Sequence, residues 1–211
     1  MMRPASSRRT RRQASDEEVA LGAPLAGRRV RLRPVSPADH AWLYSLSTCS
    51  DNGFRWRYGG ATPNPDAFVH SLWDRVLVQF VAEHIVTNVP VGLVVAYAPD
   101  MHSGHVQVAA LLEPAVQKQP WPHEAIILLA NYLFTNWNFR KLYAESVDFN
   151  YRQFASGVGR LFVLEATLRK HQFWNGRYWD KHICACTREV GSTHQERLLR
   201  FALGRSRSAP R

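Results

Sequence analysis

At 211 residues, 45% of them hydrophobic and seven of them tryptophan, the chain can bury one sizeable core and reads as a single folded domain. No apolar run approaches the roughly 20 residues that span a bilayer. The formal charge of +10 points to nucleic acid only until it is located. Residues 1–12 hold five arginines and no acid, residues 204–211 hold three more, and only two positive charges remain for everything between.

Residues 1–27 therefore read as a disordered basic tail and residues 189–211 as a second one. The first is rich in Arg and Ser and has no apolar stretch, which excludes a secretory signal, although a mitochondrial presequence has similar composition. An arginine arm for nucleic acid or an acidic partner is the alternative, and it has only composition behind it. Neither tail shows apolar periodicity, so removing residues 1–25 and 204–211 is expected to leave the domain folded. Cys49, Cys184 and Cys186 are too few, and odd in number, for a disulfide framework, which favours a reducing cytoplasm. Cys184 and Cys186 share one face of a strand and lack the further ligands a metal would need.

In chain order, Arg29–Arg33 alternates as a first strand. Ser36 and Pro37 then open a helix carrying Trp42, Leu43 and Leu46 at helical spacing. A Gly- and Pro-punctuated loop, DNGFRWRYGGATPNP, leads to a second helix from Asp66 to about Arg75. Three strands follow at Val76–Ile85, Val91–Ala98 and His105–Leu112, joined by VTNVPVG and PDMHSG. The stretch EPAVQKQPWPHEA precedes a long apolar helix, HEAIILLANYLFTNW. Lys141–Val147 is a strand and Tyr151–Leu161 a short helix. The last two strands flank Asn175-Gly176, a strong hairpin signal. The whole is α+β (mixed α/β).

This order resembles the GNAT superfamily of acyl-CoA N-acyltransferases, in particular its RimJ/RimL-like branch, over residues 28–188. Asn150 takes the place of the Asn that opens the fourth helix. Phe162, Glu165, Leu168, Arg169, Gly176 and Asp180 fall in the register of the branch's closing strands. The resemblance implies a mostly antiparallel sheet of about seven strands flanked by about four helices. It also implies acetyl-CoA or another acyl-CoA as co-substrate, and an amine acceptor on a small molecule or on a peptide or protein N-terminus. An acyl carrier protein is a further possible donor, and neither metal, membrane nor nucleic acid is implied.

By that resemblance EPAVQKQPWPHEA is the pyrophosphate loop. Gln117 occupies its first place, and Glu124-Ala125 stand where expected on the helix. Its two glycine positions are Pro120 and Pro122, which offer no N–H. Charge-assisted hydrogen bonds contribute about 1.5–3 kcal/mol each, so two lost donors matter. The expected donor-binding groups are the remaining amides of Lys118, Gln119, Trp121, His123 and Glu124, with Gln117, the Lys118 cation and Asn150. A packed, Trp121-anchored turn that holds no anion is the competing reading.

The branch's usual acid–base positions fall on Gln153 and Gln172, which orient groups without titrating. The tyrosine used elsewhere in the superfamily falls on Gly157. Glu113, beside the loop, and Glu145, on the fifth strand, are the substitute titratable groups, with His171, His105 and Tyr97 weaker. A backbone N–H near Leu112 is expected to polarise the thioester. Trp56, Tyr58, Trp121 and Trp174 are candidate cleft aromatics. Two function classes stay open: an N-acyltransferase with an altered loop, or a catalytically inactive GNAT-like binding or regulatory module.

Overall fold

The computed structural model describes residues 25–49, 52–117, 119, 122–154 and 161–189. The expectations for Lys118, Pro120, Trp121 and Gly157, for the Gln153 side chain, and for residues 1–24 and 190–211 lie outside what it describes. In chain order the elements are β1 (Val30–Pro34), α1 (His40–Thr48), α2 (Pro65–Ser71), β2 (Val76–His84), β3 (Pro90–Asp100), β4 (His105–Leu112), α3 (Pro122–Asn136), β5 (Lys141–Val147), α4 (Asp148–Phe154), β6 (Val163–Trp174) and β7 (Arg177–Thr187). Short 3-10 turns precede α1 (Pro37–Asp39) and follow β4 (Pro114–Val116).

The strands form one sheet in the order β1-β2-β3-β4-β5-β7-β6. Every neighbouring pair is antiparallel except β4 and β5. A parallel pair needs a crossover connection, and α3 supplies it. Strand alternation divides the core in two. Val106 and Val108 of β4, Leu142 and Ala144 of β5, and Cys184 and Cys186 of β7 pack against Leu128, Leu129 and Leu133 of α3. On the opposite face Leu93 and Leu111 meet Leu43 and Leu46 of α1 and Phe68 and Leu72 of α2. The paired cysteines are core residues, as their spacing implied, and burial pushes the Cys186 thiol up to about 12.

Three local differences from the sequence reading have physical causes. The second helix ends at Ser71, because the chain turns through Leu72–Arg75, with Arg75 at φ 54°, to enter β2. The fourth helix begins at Asp148, directly after β5. At the N-terminal end the fold begins before residue 28: Leu25 packs against the main core, its carbonyl accepts from the Leu32 amide at 2.6 Å, and Gly27 N–H donates to Val30 at 2.8 Å. Trimming through Leu25 therefore removes contacts of the described domain. At the other end Arg188 donates to the carbonyls of Phe134, Trp137 and Phe139, closing the last turn of α3 and the loop after it.

One charge network clamps the β1–β2 edge to the start of α1. Glu83 accepts from Arg31 and, at 2.7 Å, from Arg33. Arg33 also grips Asp39 through both terminal nitrogens, at 2.9 and 2.8 Å. Asp39 in turn takes the Ser36 amide and hydroxyl, both at 2.8 Å. Hydrogen bonding from Arg33 outweighs burial and holds both carboxyls below their usual range. A depressed folded pKa contributes stability that is present above the unfolded pKa and lost as pH falls through the folded one. The melting temperature should therefore drop as pH falls below about 4. Asp39→Asn should be less stable at neutral pH and should show a shallower acid slope than the parent in thermal melts.

The β6–β7 turn has φ 48° at Asn175 and 75° at Gly176, the two-residue turn expected from that dipeptide. Nothing lies within 4 Å of a Cβ built on Gly176, so a side chain there meets backbone strain alone. Gly176→Val should cost about 1–2 kcal/mol, visible as a lower urea midpoint. An unchanged midpoint would show that the turn relaxes without cost.

Candidate active site

The parallel ladder between β4 and β5 contains only three residue pairs, His105–Lys141, Val106–Leu142 and Gln107–Tyr143. Beyond it β4 stays paired with β3 up to Gly92–Leu112, and β5 stays paired with β7 up to Val147–Lys181. The sheet thus opens between Val108–Leu112 and Ala144–Val147. Glu113 N–H donates to Val91 O at 3.0 Å, which fixes the alternation of β4. Odd-numbered residues direct their amides to β3, and even-numbered ones direct them to the opening. Ala110 and Leu112 therefore present main-chain N–H groups along the open edge. This is where a backbone donor to a thioester carbonyl was expected.

The wide end of the opening is bridged by the segment that follows α1. Asn52, 2% exposed, donates its side-chain amide to Leu112 O at 3.2 Å. Three residues later Arg55 donates to Asn150 Oδ1 at 2.7 Å, on the first turn of α4. Phe54 between them stacks on Trp174 at 4.1 Å and meets Phe149 edge-on at 5.3 Å. One short segment thus ties the tip of β4 to the helix after β5. Sequence reading gave this segment as a loop carrying the candidate aromatics Trp56 and Tyr58. Its side-chain bonds span 60 and 95 residues of chain and leave no periodic signal.

The turn after β4 is compact. Val116 N–H donates to Glu113 O at 3.0 Å, Gln117 N–H to Pro114 O at 3.4 Å and Gln119 N–H to Val116 O at 2.9 Å. Of the amides expected to hold phosphate, that of Gln119 is therefore spent inside the turn, together with those of Val116 and Gln117. The Gln117 side chain reaches Asn52 Oδ1 at 3.3 Å and Leu112 O at 3.4 Å. Val116 packs on the main core. Pro122 is the first residue of α3, a position where a missing N–H breaks no helical bond.

The expected site residues do not gather around one point. Glu124 is 3% exposed, and its carboxylate accepts from the Arg29 and Val30 amides at 2.8 and 3.1 Å. A Cβ on Gly27 would lie 2.1 Å from that carboxylate. The acid docks β1 on α3, so only the Glu124 main chain is left for an anion. Glu113 accepts from Trp42 Nε1 at 2.5 Å on the α1 side of the sheet. Glu145 is ion-paired with Lys181 of β7. Asn150 has its amide oxygen taken by Arg55. Gln172 faces Trp179 near the hairpin tip, on a strand separated from β5 by β7. Trp56 and Tyr58 pack against the α1–α2 core, and His123 is exposed.

At the closed end of the opening a polar row crosses the sheet: Tyr97 opposite Gln107, and Gln107 opposite Tyr143. Strand alternation puts these and Glu145 on the α1–α2 face. Burial, and then the Glu145 charge, raise the Tyr97 pKa, while Arg57 opposes them. The phenol stays protonated and lies within the fields of both charges. Gln107 Oε1 is buried with no partner among the described residues. A polar residue alternating with Val106 and Val108 is the sequence signal for this row. Asp180, matched to the closing hairpin, accepts from Lys170 N at 2.7 Å and holds the β6 bulge.

No family model matches the chain, and no curated protein matches it in sequence. Solved structures do match. A spermidine N-acetyltransferase from Vibrio cholerae in complex with CoA and spermine is 20% identical, with a TM-score of 0.67 over 77% of this chain and 97% of that one. A probable GNAT-family acetyltransferase from Chromobacterium violaceum is 20% identical, with a TM-score of 0.65 over 91% and 98%. A GNAT-family acetyltransferase from Bacillus anthracis is 16% identical, with a TM-score of 0.63 over 78% and 98%. The seven-stranded mixed sheet with four helices is the fold of the GNAT acetyltransferases.

Proposed function

We propose that the chain is an acyl-CoA-dependent N-acyltransferase of RimJ/RimL-like kind, moving an acetyl or related acyl group to an amine. The observation that carries this reading is the abrupt end of the β4–β5 ladder. It leaves the Ala110 and Leu112 N–H groups on an open edge, in a fold shared with acetyltransferases. An extended thioester-bearing arm can lie along that edge as an added strand. The neutral amine attacks the carbonyl carbon, and the C–N bond forms as charge builds on the oxygen. An edge N–H donates to that oxygen. The C–S bond then breaks, the thiolate takes a proton from Tyr97, and the new amide loses its extra proton to Glu145 or to water. Glu145 can act only when Lys181 releases it, so an amine that binds already neutral is the better substrate for this site.

The donor's phosphates meet a turn that has spent three amides. Support for them comes from the N-terminal end of α3 and from the Lys118 cation. A weak phosphate site is also compatible with an acyl group delivered on a carrier protein. The inactive-module reading has its own observation in those spent amides. Calorimetric titration with acetyl-CoA separates the two. The enzyme reading expects saturable binding, weakened by Lys118→Ala. No heat with acetyl-CoA, longer acyl-CoAs or an acyl carrier protein would leave the module.

Ala110→Pro tests the chemistry. The N–H it removes faces the opening, so no β3–β4 ladder bond is lost. Turnover should fall about 10²–10³-fold in a protein that still melts cooperatively. Unchanged turnover would remove the edge amide from the mechanism.

A further inference from the structure

The charges around the opening are matched unequally. On the α1–α2 face Glu145 is neutralised by Lys181, and Lys141 pairs with Glu165 at 2.5 Å. The bridging segment carries two guanidinium groups, Arg55 and Arg57, and neither has a carboxylate partner among the described residues. Arg55 is half-buried. It spends one nitrogen on the neutral Asn150 amide, its Nε is covered without a partner, and its guanidinium lies 5.0 Å from the Phe54 ring centre. Arg57 is exposed. It donates once to Ser71 O at 2.9 Å, lies 5.6 Å from the Trp56 ring centre, and its charge reaches Tyr97. On this side Glu113, held by the Trp42 indole at the α1 end, and the exposed Asp66 and Asp74 of α2 and the turn after it form no ion pair among the described residues. A half-buried cation with neutral neighbours is screened less than a surface pair, so its field extends into the opening.

We propose that the acceptor is an amine bearing an anionic group, which Arg55 and Arg57 bind, and that polycationic amines are excluded. This deepens the transferase reading and rests on it. A guanidinium with free N–H groups matches a carboxylate or phosphate in shape as well as charge. A polyamine entering over the same segment meets two uncompensated positive charges. The spermine-bound neighbour therefore shares the fold with this chain but not its acceptor class.

Three four-carbon amines that differ only at the far end provide the test: 4-aminobutanoate, n-butylamine and 1,4-diaminobutane. Each is titrated calorimetrically into the CoA-saturated protein, and each is assayed with acetyl-CoA by release of the CoA thiol. The expected order is 4-aminobutanoate first, with the diamine at least about tenfold weaker, and the gap should shrink at high salt. Arg57→Ala should raise the 4-aminobutanoate KM about tenfold. Arg57→Glu should invert the preference between the two charged probes. Arg57 is exposed, so both variants should fold, and Arg55→Lys checks the partly buried site conservatively. Equal or stronger binding of the diamine by the parent protein overturns the proposal, as does failure of 4-aminobutanoate to bind. Absence of binding by acetyl-CoA, longer acyl-CoAs and an acyl carrier protein alike overturns the transferase reading instead. In that event the same amine titrations on the CoA-free protein still decide the charge preference.

Discussion

Strands β4 and β5 run parallel and stay paired for only three residues, and most of the molecule is arranged around that constraint. A parallel neighbour cannot be reached by a hairpin, so the chain leaves β4, crosses one face of the sheet as α3 and returns. The crossover places the start of α3 and the turn before it at the tip of β4. Each strand then keeps its antiparallel partner on the far side. The opening can therefore widen without unpaired edges appearing elsewhere in the sheet. The exposed main chain of Ala110 and Leu112 is the cost of this arrangement, since unpaired edge groups are otherwise a liability. A protein that retains such an edge gains from it when a ligand completes the pairing.

The same geometry decides what the proline-rich turn is able to do. Glycine-rich loops bind anions because successive amides point inward and remain unpaired. Here Val116, Gln117 and Gln119 use their amides to close the turn, and Val116 anchors it to the core. Proline at the first position of α3 adds rigidity without disturbing the helix. The turn is stable because its donors are internal, and donors spent in that way are not available to an anion. Glu124 shows the same trade. A carboxylate near a helix start is stabilised by the dipole, and this one also satisfies two β1 amides. It fastens the crossover helix to the sheet edge and faces away from any phosphate.

The parts of the fold set by local chemistry were legible in the sequence. Lys141–Val147 and His105–Leu112 were placed at their observed ends, since alternation and flanking turns bound both. Asn175-Gly176 specified its turn because few other residues accept positive φ at both positions. The register of Cys184 and Cys186 followed from period two. What the sequence did not reveal are bonds from side chains to groups distant along the chain: Asn52 with the Leu112 carbonyl, Arg55 with Asn150, and Lys181 with Glu145. Each involves a residue type that is usually solvated at the surface, and no spacing rule links partners 36, 60 or 95 residues apart. The candidate acids were chosen by their place on a strand. Their partners depend on register and loop path, and those partners, Trp42 for Glu113 and Lys181 for Glu145, reduce what the acids can do.

Leu112 is where these threads meet. Its N–H lies on the open edge, available to an acyl donor. Its carbonyl accepts from Asn52 on the bridging segment and from Gln117 on the proline turn. Asn52 also accepts from Gln117 at 3.3 Å, so the donor-side turn and the acceptor-side segment are joined through one buried amide. A shift of the turn by a few tenths of an ångström would break bonds already at 3.3–3.4 Å, because hydrogen bonds weaken quickly beyond that range. Asn52 would keep its own 3.2 Å bond to Leu112 O, and its main-chain carbonyl would keep the Arg55 and Trp56 amides. On the proposed reading, the donor-side turn and the acceptor-side segment both rest on Leu112 and Asn52. Any coupling between them must be reciprocal, since each ligand can bias that shared contact only as strongly as the other is biased by it.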